Sequence, residues 1–113
     1  MDPVLFAGIA VRDHDAALGF YERLFGPVTF RAHATESVWD VAEQRSIYVN
    51  QEPEVAGGSR LLLMIDDLDA KLAELAERGL EPALDETYSN GVRKVTFRDP
   101  DGNEVGFAAM PPG

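Results

Sequence analysis

The chain has 113 residues, 45% hydrophobic and 27% charged, which suits one compact globular unit and disfavours disordered or fibrous structure. A formal net charge of -10 leaves no clustered basic surface for a nucleic-acid partner, and the absence of cysteine excludes disulfides, thiolate metal sites and cysteine nucleophiles. No apolar run approaches the ~20 residues of a membrane helix, and Met1-Asp2-Pro3 lacks the basic start of a signal peptide, so a soluble, cytoplasmic protein without a membrane partner is expected.

In chain order, Val4–Val11 reads as a strand whose two faces are both apolar or small, with Leu5, Ala7, Ile9 and Val11 on one and Val4, Phe6, Gly8 and Ala10 on the other. Such a strand is covered on both sides: one face takes a helix, and the other faces a core, a partner chain or a ligand cavity. Asp13 follows as a helix N-cap. Ala17, Tyr21, Leu24 and Phe25 then fall on one helical face, and Gly26-Pro27 ends the helix. Val28–His33, Ser37–Ala42 and Ser46–Asn50 have strand character, with Glu43-Gln44-Arg45 as a polar turn. Gln51–Ser59, containing Gly57-Gly58, reads as a loose linker.

The pattern then repeats. Ile9–Leu18 aligns with Leu63–Leu72, pairing Val11 with Ile65, Asp13 with Asp67, Asp15 with Asp69, Ala16 with Ala70 and Leu18 with Leu72 at one constant offset. Asp67 is the second N-cap, Leu68, Leu72, Leu75 and Ala76 make the second helical stripe, and Gly79 caps its end. Glu81–Tyr88 leads through the hairpin signal Ser89-Asn90-Gly91 into Val92–Arg98. Asp99-Pro100-Asp101-Gly102 is a turn, and Asn103–Ala109 is the last strand. The unit is thus β-α-β-β-β, used twice: about 4–50, a linker at about 51–59, and about 60–110.

Paired units of this kind, with Val11-Arg-Asp, the run Phe20–Gly26, and Phe97–Gly106 in that order and spacing, resemble the glyoxalase / bleomycin-resistance / extradiol-dioxygenase superfamily, the vicinal oxygen chelate fold. The resemblance covers essentially the whole chain and implies a single α+β glyoxalase-like domain over 1–113. In it, two βαβββ modules form a curled mixed sheet with helices on the outer face and a cavity inside. Metal-dependent members place one His or Glu ligand on the first and last strand of each module. Carried onto this sequence, those positions hold Phe6, Tyr48, Arg60 and Gly106. Phe has no lone pair, Arg stays cationic and Gly has no side chain, so a metal-dependent isomerase or dioxygenase is disfavoured and no metal or other cofactor is expected. His14 and His33, the only histidines, lie on different elements without a matching carboxylate at ligand spacing, and no Ser or Thr has His and Asp in a recognisable catalytic arrangement.

With parity set by the resemblance, the cavity is lined by Phe6, Gly8 and Ala10, by Arg60, Leu62 and Met64, and by Glu104, Gly106 and Ala108. Arg60 and Glu104 meet across neighbouring strands, either as an anion or carbonyl holder or as a structural pair filling the former metal site. Tyr48 and Trp39 are flat walls with polar tips, although Trp39 equally suits a core position under the first helix. The candidate ligand-binding residues are therefore Phe6, Trp39, Tyr48, Arg60, Met64, Glu104 and Gly106. The resemblance implies a metal-independent, drug-sequestering binding protein of the bleomycin-resistance type, acting as a homodimer on a small organic ligand. The negative charge suits a cationic or aromatic one. The rivals are a metal-independent isomerase or lyase, with Arg60 polarising a carbonyl and Glu104 or Tyr48 moving a proton, and a ligand-free interaction module.

Overall fold

A computed structural model describes residues 2–111, so the outermost residues of the expected 1–113 domain, Met1, Pro112 and Gly113, lie outside it. The chain divides into two compact units: residues up to Ser59 together with the turn Asp99–Asn103, and Arg60–Arg98 together with the chain from Glu104 on.

In the first unit β1 (Leu5–Val11) runs parallel to β4 (Arg45–Gln51), which pairs antiparallel with β3 (Glu36–Ala42), which pairs in turn with β2 (Phe30–His33). Helix α1 (His14–Phe25) starts as its sequence dictates, with Asp13 accepting from the Ala16 amide at 3.2 Å, and ends at Gly26, whose φ of 90° suits glycine. Ala17, Tyr21 and Leu24 are buried against Ile9, Val11, Ile47, Val49 and Trp39, which share one face of the sheet. Gln44 makes the tight turn between β3 and β4 at φ 59°.

The second unit repeats this order. β5 (Arg60–Met64) is parallel to β8 (Glu104–Ala109), followed by β7 (Arg93–Arg98) and β6 (Leu84–Thr87), both antiparallel. Helix α2 (Leu68–Glu77) is capped by Asp67, which accepts from the Ala70 amide at 2.9 Å, and Gly79 follows its end at φ 83°. Leu68 and Leu75 are buried, Leu72 is half-buried, and Val95, Phe97, Val105 and Phe107 form the sheet's share of the core. Lys71 of α2 lies 5.8 Å from the centroid of the Phe107 ring.

Four expectations need amendment. Burial on both faces of β1 holds only for Ile9–Val11, because Leu5 and Phe6 at its start are exposed. The linker is not structureless: Pro53–Val55 forms a turn of 3-10 helix. β6 is shorter than Glu81–Tyr88, since all four of its residues are exposed and no buried face extends the ladder. Ala76 is exposed and contributes nothing to the apolar stripe of α2.

Candidate functional site

Each sheet has one face packed on its helix and one without a helix. In the first unit the helix-free face carries Phe6 and Gly8 on β1, Ser46 and Tyr48 on β4, Val38 and Asp40 on β3, and Phe30 on β2, as the strand register requires. Gly8 and Tyr48 are opposite one another, and the Tyr48 ring occupies the space a Cβ at position 8 would need. Glycine here admits an aromatic ring flat against the backbone of β1.

Beside this pair lies an open groove of about 590 Å³. Val4, Phe6 and Phe30 make its apolar walls and Asp40, Glu43 and Ser46 its polar part. Phe6 and Phe30 are 51% and 49% exposed, a large uncovered aromatic area for such a small protein. Asp40 is held in place by the Ser46 hydroxyl, which donates to it at 2.7 Å, and remains solvent-exposed.

In the second unit the helix-free face reads in three rows across the strands: Arg60, Glu104 and Arg98; Leu62, Gly106 and Thr96; Met64, Ala108 and Lys94. Arg60 Nε donates to Glu104 Oε1 at 3.4 Å and Arg98 Nε to Oε2 at 3.1 Å. These two guanidinium groups, Arg98 foremost, hold the Glu104 carboxyl below the usual range for glutamate. A carboxylate stabilised in this way is a weak base, which suits charge balance better than proton transfer. Leu62 and Met64 are each about half exposed.

The expected site residues thus fall as follows. Phe6 and Tyr48 share the helix-free face of the first unit, and Arg60, Met64, Glu104 and Gly106 share that of the second. Trp39 belongs to neither. It is 1% exposed, its Nε1 donates to the Gly26 carbonyl at 2.8 Å, and its ring packs against Tyr21 and Phe25 beneath α1. Parity explains the correction: Trp39 stands opposite Ile47, on the helix side of the sheet, and so leaves the set of candidate ligand-binding residues.

Sequence reasoning missed Phe30, Asp40 and Glu43 at the groove, and Lys94 and Arg98 on the second sheet. For Lys94 and Arg98 the signal was present, because Lys94, Thr96 and Arg98 alternate with the apolar Val95 and Phe97. For Phe30 it was not, since an irregularity in register between Arg31 and His33 obscures the parity of β2.

The expectation that no serine has His and Asp partners also needs correcting. Ser37 Oγ lies 2.8 Å from His14 Nε2, and His14 Nδ1 lies 3.0 Å from Asp15 Oδ1, the hydrogen-bond order of a hydrolytic triad. Ser37 and His14 are 0% and 1% exposed, so no substrate reaches the hydroxyl, and the arrangement anchors the start of α1 to β3.

Of the positions at which the resemblance implies metal ligands, Phe6, Arg60 and Gly106 offer no side-chain donor for a divalent ion. Among the described residues no group of three or more His, Asp or Glu side chains is placed to hold a metal. No described helix is long and apolar enough to cross a membrane.

Two copies of one β-α-β-β-β unit, each a four-stranded mixed sheet with a helix on one face, define the glyoxalase-like class of α+β fold. The chain belongs to the glyoxalase-like domain family, whose sequence profile matches residues 6–107. It is similar to a glyoxalase / bleomycin resistance protein from Catenulispora acidiphila, at 50% identity and a TM-score of 0.93 over 97% of this chain and 100% of that one. It also resembles an antibiotic-binding protein from a Streptomyces species, at 28% identity and a TM-score of 0.72 over 97% of each chain. A bleomycin-binding protein solved with bleomycin shares the fold, at 22% identity and a TM-score of 0.74 over 96% of this chain and 98% of that one. No curated protein matches the sequence.

Proposed function

We propose that this chain is a small-molecule-binding protein that works without a metal, of the drug-sequestering type, and that its ligand is an aromatic, cationic organic compound. The observation that carries this reading is the groove of the first unit, where the half-exposed rings of Phe6 and Phe30 stand beside the carboxyl groups of Asp40 and Glu43. Rings supply apolar contact area at little conformational cost, and adjacent carboxylates favour a positive charge on the guest. The antibiotic-binding and bleomycin-binding relatives support the same class of role.

Metal independence rests on Phe6, Arg60 and Gly106 at positions where the family resemblance implies metal ligands. The depressed basicity of Glu104 weighs against an isomerase or lyase that uses it as the proton carrier. We take residues 1–113 as one glyoxalase-like domain acting in the cytoplasm as a homodimer.

A thermal-shift panel of cationic glycopeptides and aromatic natural products tests the reading. A ligand at a hundred times its Kd stabilises the native state by about 2.7 kcal/mol, so a true ligand raises the melting temperature by several degrees. Absence of any shift at saturating concentrations across the panel counts against it.

A further inference from the structure

The geometry points to an anion-binding site on the helix-free sheet face of the second unit, built by Arg60, Lys94 and Arg98 around Gly106 and fitted to a carboxylate carried on an apolar body. This goes beyond the proposed function and does not depend on it, since the groove at Phe6 and Asp40 belongs to the other unit.

Charge gives the first argument. The chain as a whole carries -10, yet on this face Arg60, Arg98 and Lys94 outnumber the carboxylates of Glu104 and Glu86. Glu86 stands opposite Lys94 on β6, but among the described residues Lys94 has no ion-pair partner.

The second argument lies in which nitrogens are engaged. Glu104 uses one oxygen for Arg60 and the other for Arg98, in both cases through Nε. Among the described residues nothing accepts from the terminal nitrogens of either guanidinium. Glu104 therefore acts as a brace: it fixes two planar forks while leaving their outer N–H groups for another acceptor. Arg60 is 82% and Arg98 46% exposed at the side chain, so an incoming anion reaches both.

Gly106 supplies the third argument. A Cβ at this position would lie 2.9 Å from Lys94 Cε and 3.3 Å from Leu62 Cδ1, so the lysine stem crosses the sheet through the space that a side chain at 106 would fill. This lays the lysine stem over the middle row, beside the exposed Leu62 and one row from Arg60 and Arg98. A planar carboxylate matches the guanidinium fork, and the two apolar side chains suit a hydrocarbon body attached to it.

Benzoate is the direct probe, titrated into the full chain and followed by amide NMR, with benzyl alcohol, benzylammonium and inorganic phosphate as comparisons. Benzoate is expected to shift amides of β5, β7 and β8 saturably, well ahead of the other three. Lys94→Gln should weaken benzoate binding by about fivefold or more, the scale of one lost charged contact. Gly106→Ala, which displaces the lysine stem, should weaken it as well while the spectrum stays that of a folded protein. The assignment is overturned by any of three results: no saturable shift on these strands, equal response to benzyl alcohol or benzylammonium, or unchanged affinity in Lys94→Gln. Binding of phosphate without benzoate overturns the carboxylate assignment. Failure here leaves shifts around Phe6 and Asp40, and hence the groove reading, to be judged separately.

Discussion

The Tyr21 hydroxyl donates to Asp99 Oδ2 at 2.6 Å, joining α1 to the Asp99–Asn103 turn inside the first unit. Both residues are buried, and the same carboxyl group accepts from the amides of Asp101 and Asn103 and from Asn103 Nδ2. Asn103 in turn donates to the Ala10 carbonyl and accepts from the Ser59 amide, so one turn secures β1, α1 and the end of the linker. Burial above all, then the bond to Asp99, raises the Tyr21 phenol far above its ordinary range, so it stays protonated and donates at every working pH. Tyr21→Phe is expected to cost about 1–3 kcal/mol in urea unfolding, and Asp99→Ala more, because it strands several buried donors. Wild-type stability in Tyr21→Phe would contradict this network.

Gly8 and Tyr48 form a second testable pair. Gly8→Ala drives a methyl group into the Tyr48 ring and should destabilise by about 1–3 kcal/mol through overpacking. Removing the ring relieves the clash, so in the Gly8→Ala, Tyr48→Ala double variant the two effects should be strongly non-additive. Simple additivity in the cycle would mean that the ring does not lie over Gly8.

Acid titration offers a third check. Arg93 donates to Asp85 at 3.0 and 2.7 Å and to Asp69 at 3.0 Å, and the hydrogen bond from Arg93 is the main reason the Asp85 carboxyl sits below its usual range. A depressed folded-state value means that this stabilisation is complete above the unfolded value of about 3.9 and is lost as pH falls through the lower folded one. Both groups are partly exposed, so the contribution is small after solvent screening. Carboxyl NMR should show Asp85 titrating higher in Arg93→Gln than in the wild type. Coincident curves would rule out the pairing.

Ser37 has the partners of a nucleophile but no access, so a serine-directed phosphonate should leave it unlabelled in the folded protein. Stoichiometric labelling, read by mass spectrometry, would show that the site opens.

Much of the fold was legible because local chemistry and tertiary packing agree. Asp13 and Asp67 announce both helices, Gly26 and Gly79 end them, and the constant offset between Val11 and Ile65 exposes the duplication. Arg60 against Glu104 was readable only through the family resemblance, which makes the first and last strands of the second module neighbours. Trp39 was not: an aromatic residue in a mixed strand fits a cavity wall or a core equally well, and only its register with Ile47 decides. The groove was hidden for a similar reason, because Phe30 follows a loop and precedes a bulge, so no periodicity carries its direction. Glu43 and Gln44 read simply as a turn, whose second role as a groove wall appears only when β3 and β4 are paired.

The most direct test of metal-free ligand binding at the groove is calorimetric titration of the strongest ligand from the cationic aromatic panel, with the protein kept in excess chelator. The account predicts that binding persists under chelation and weakens in Asp40→Asn. Binding that disappears with chelator and returns on adding zinc, with Asp40→Asn unchanged, would contradict it.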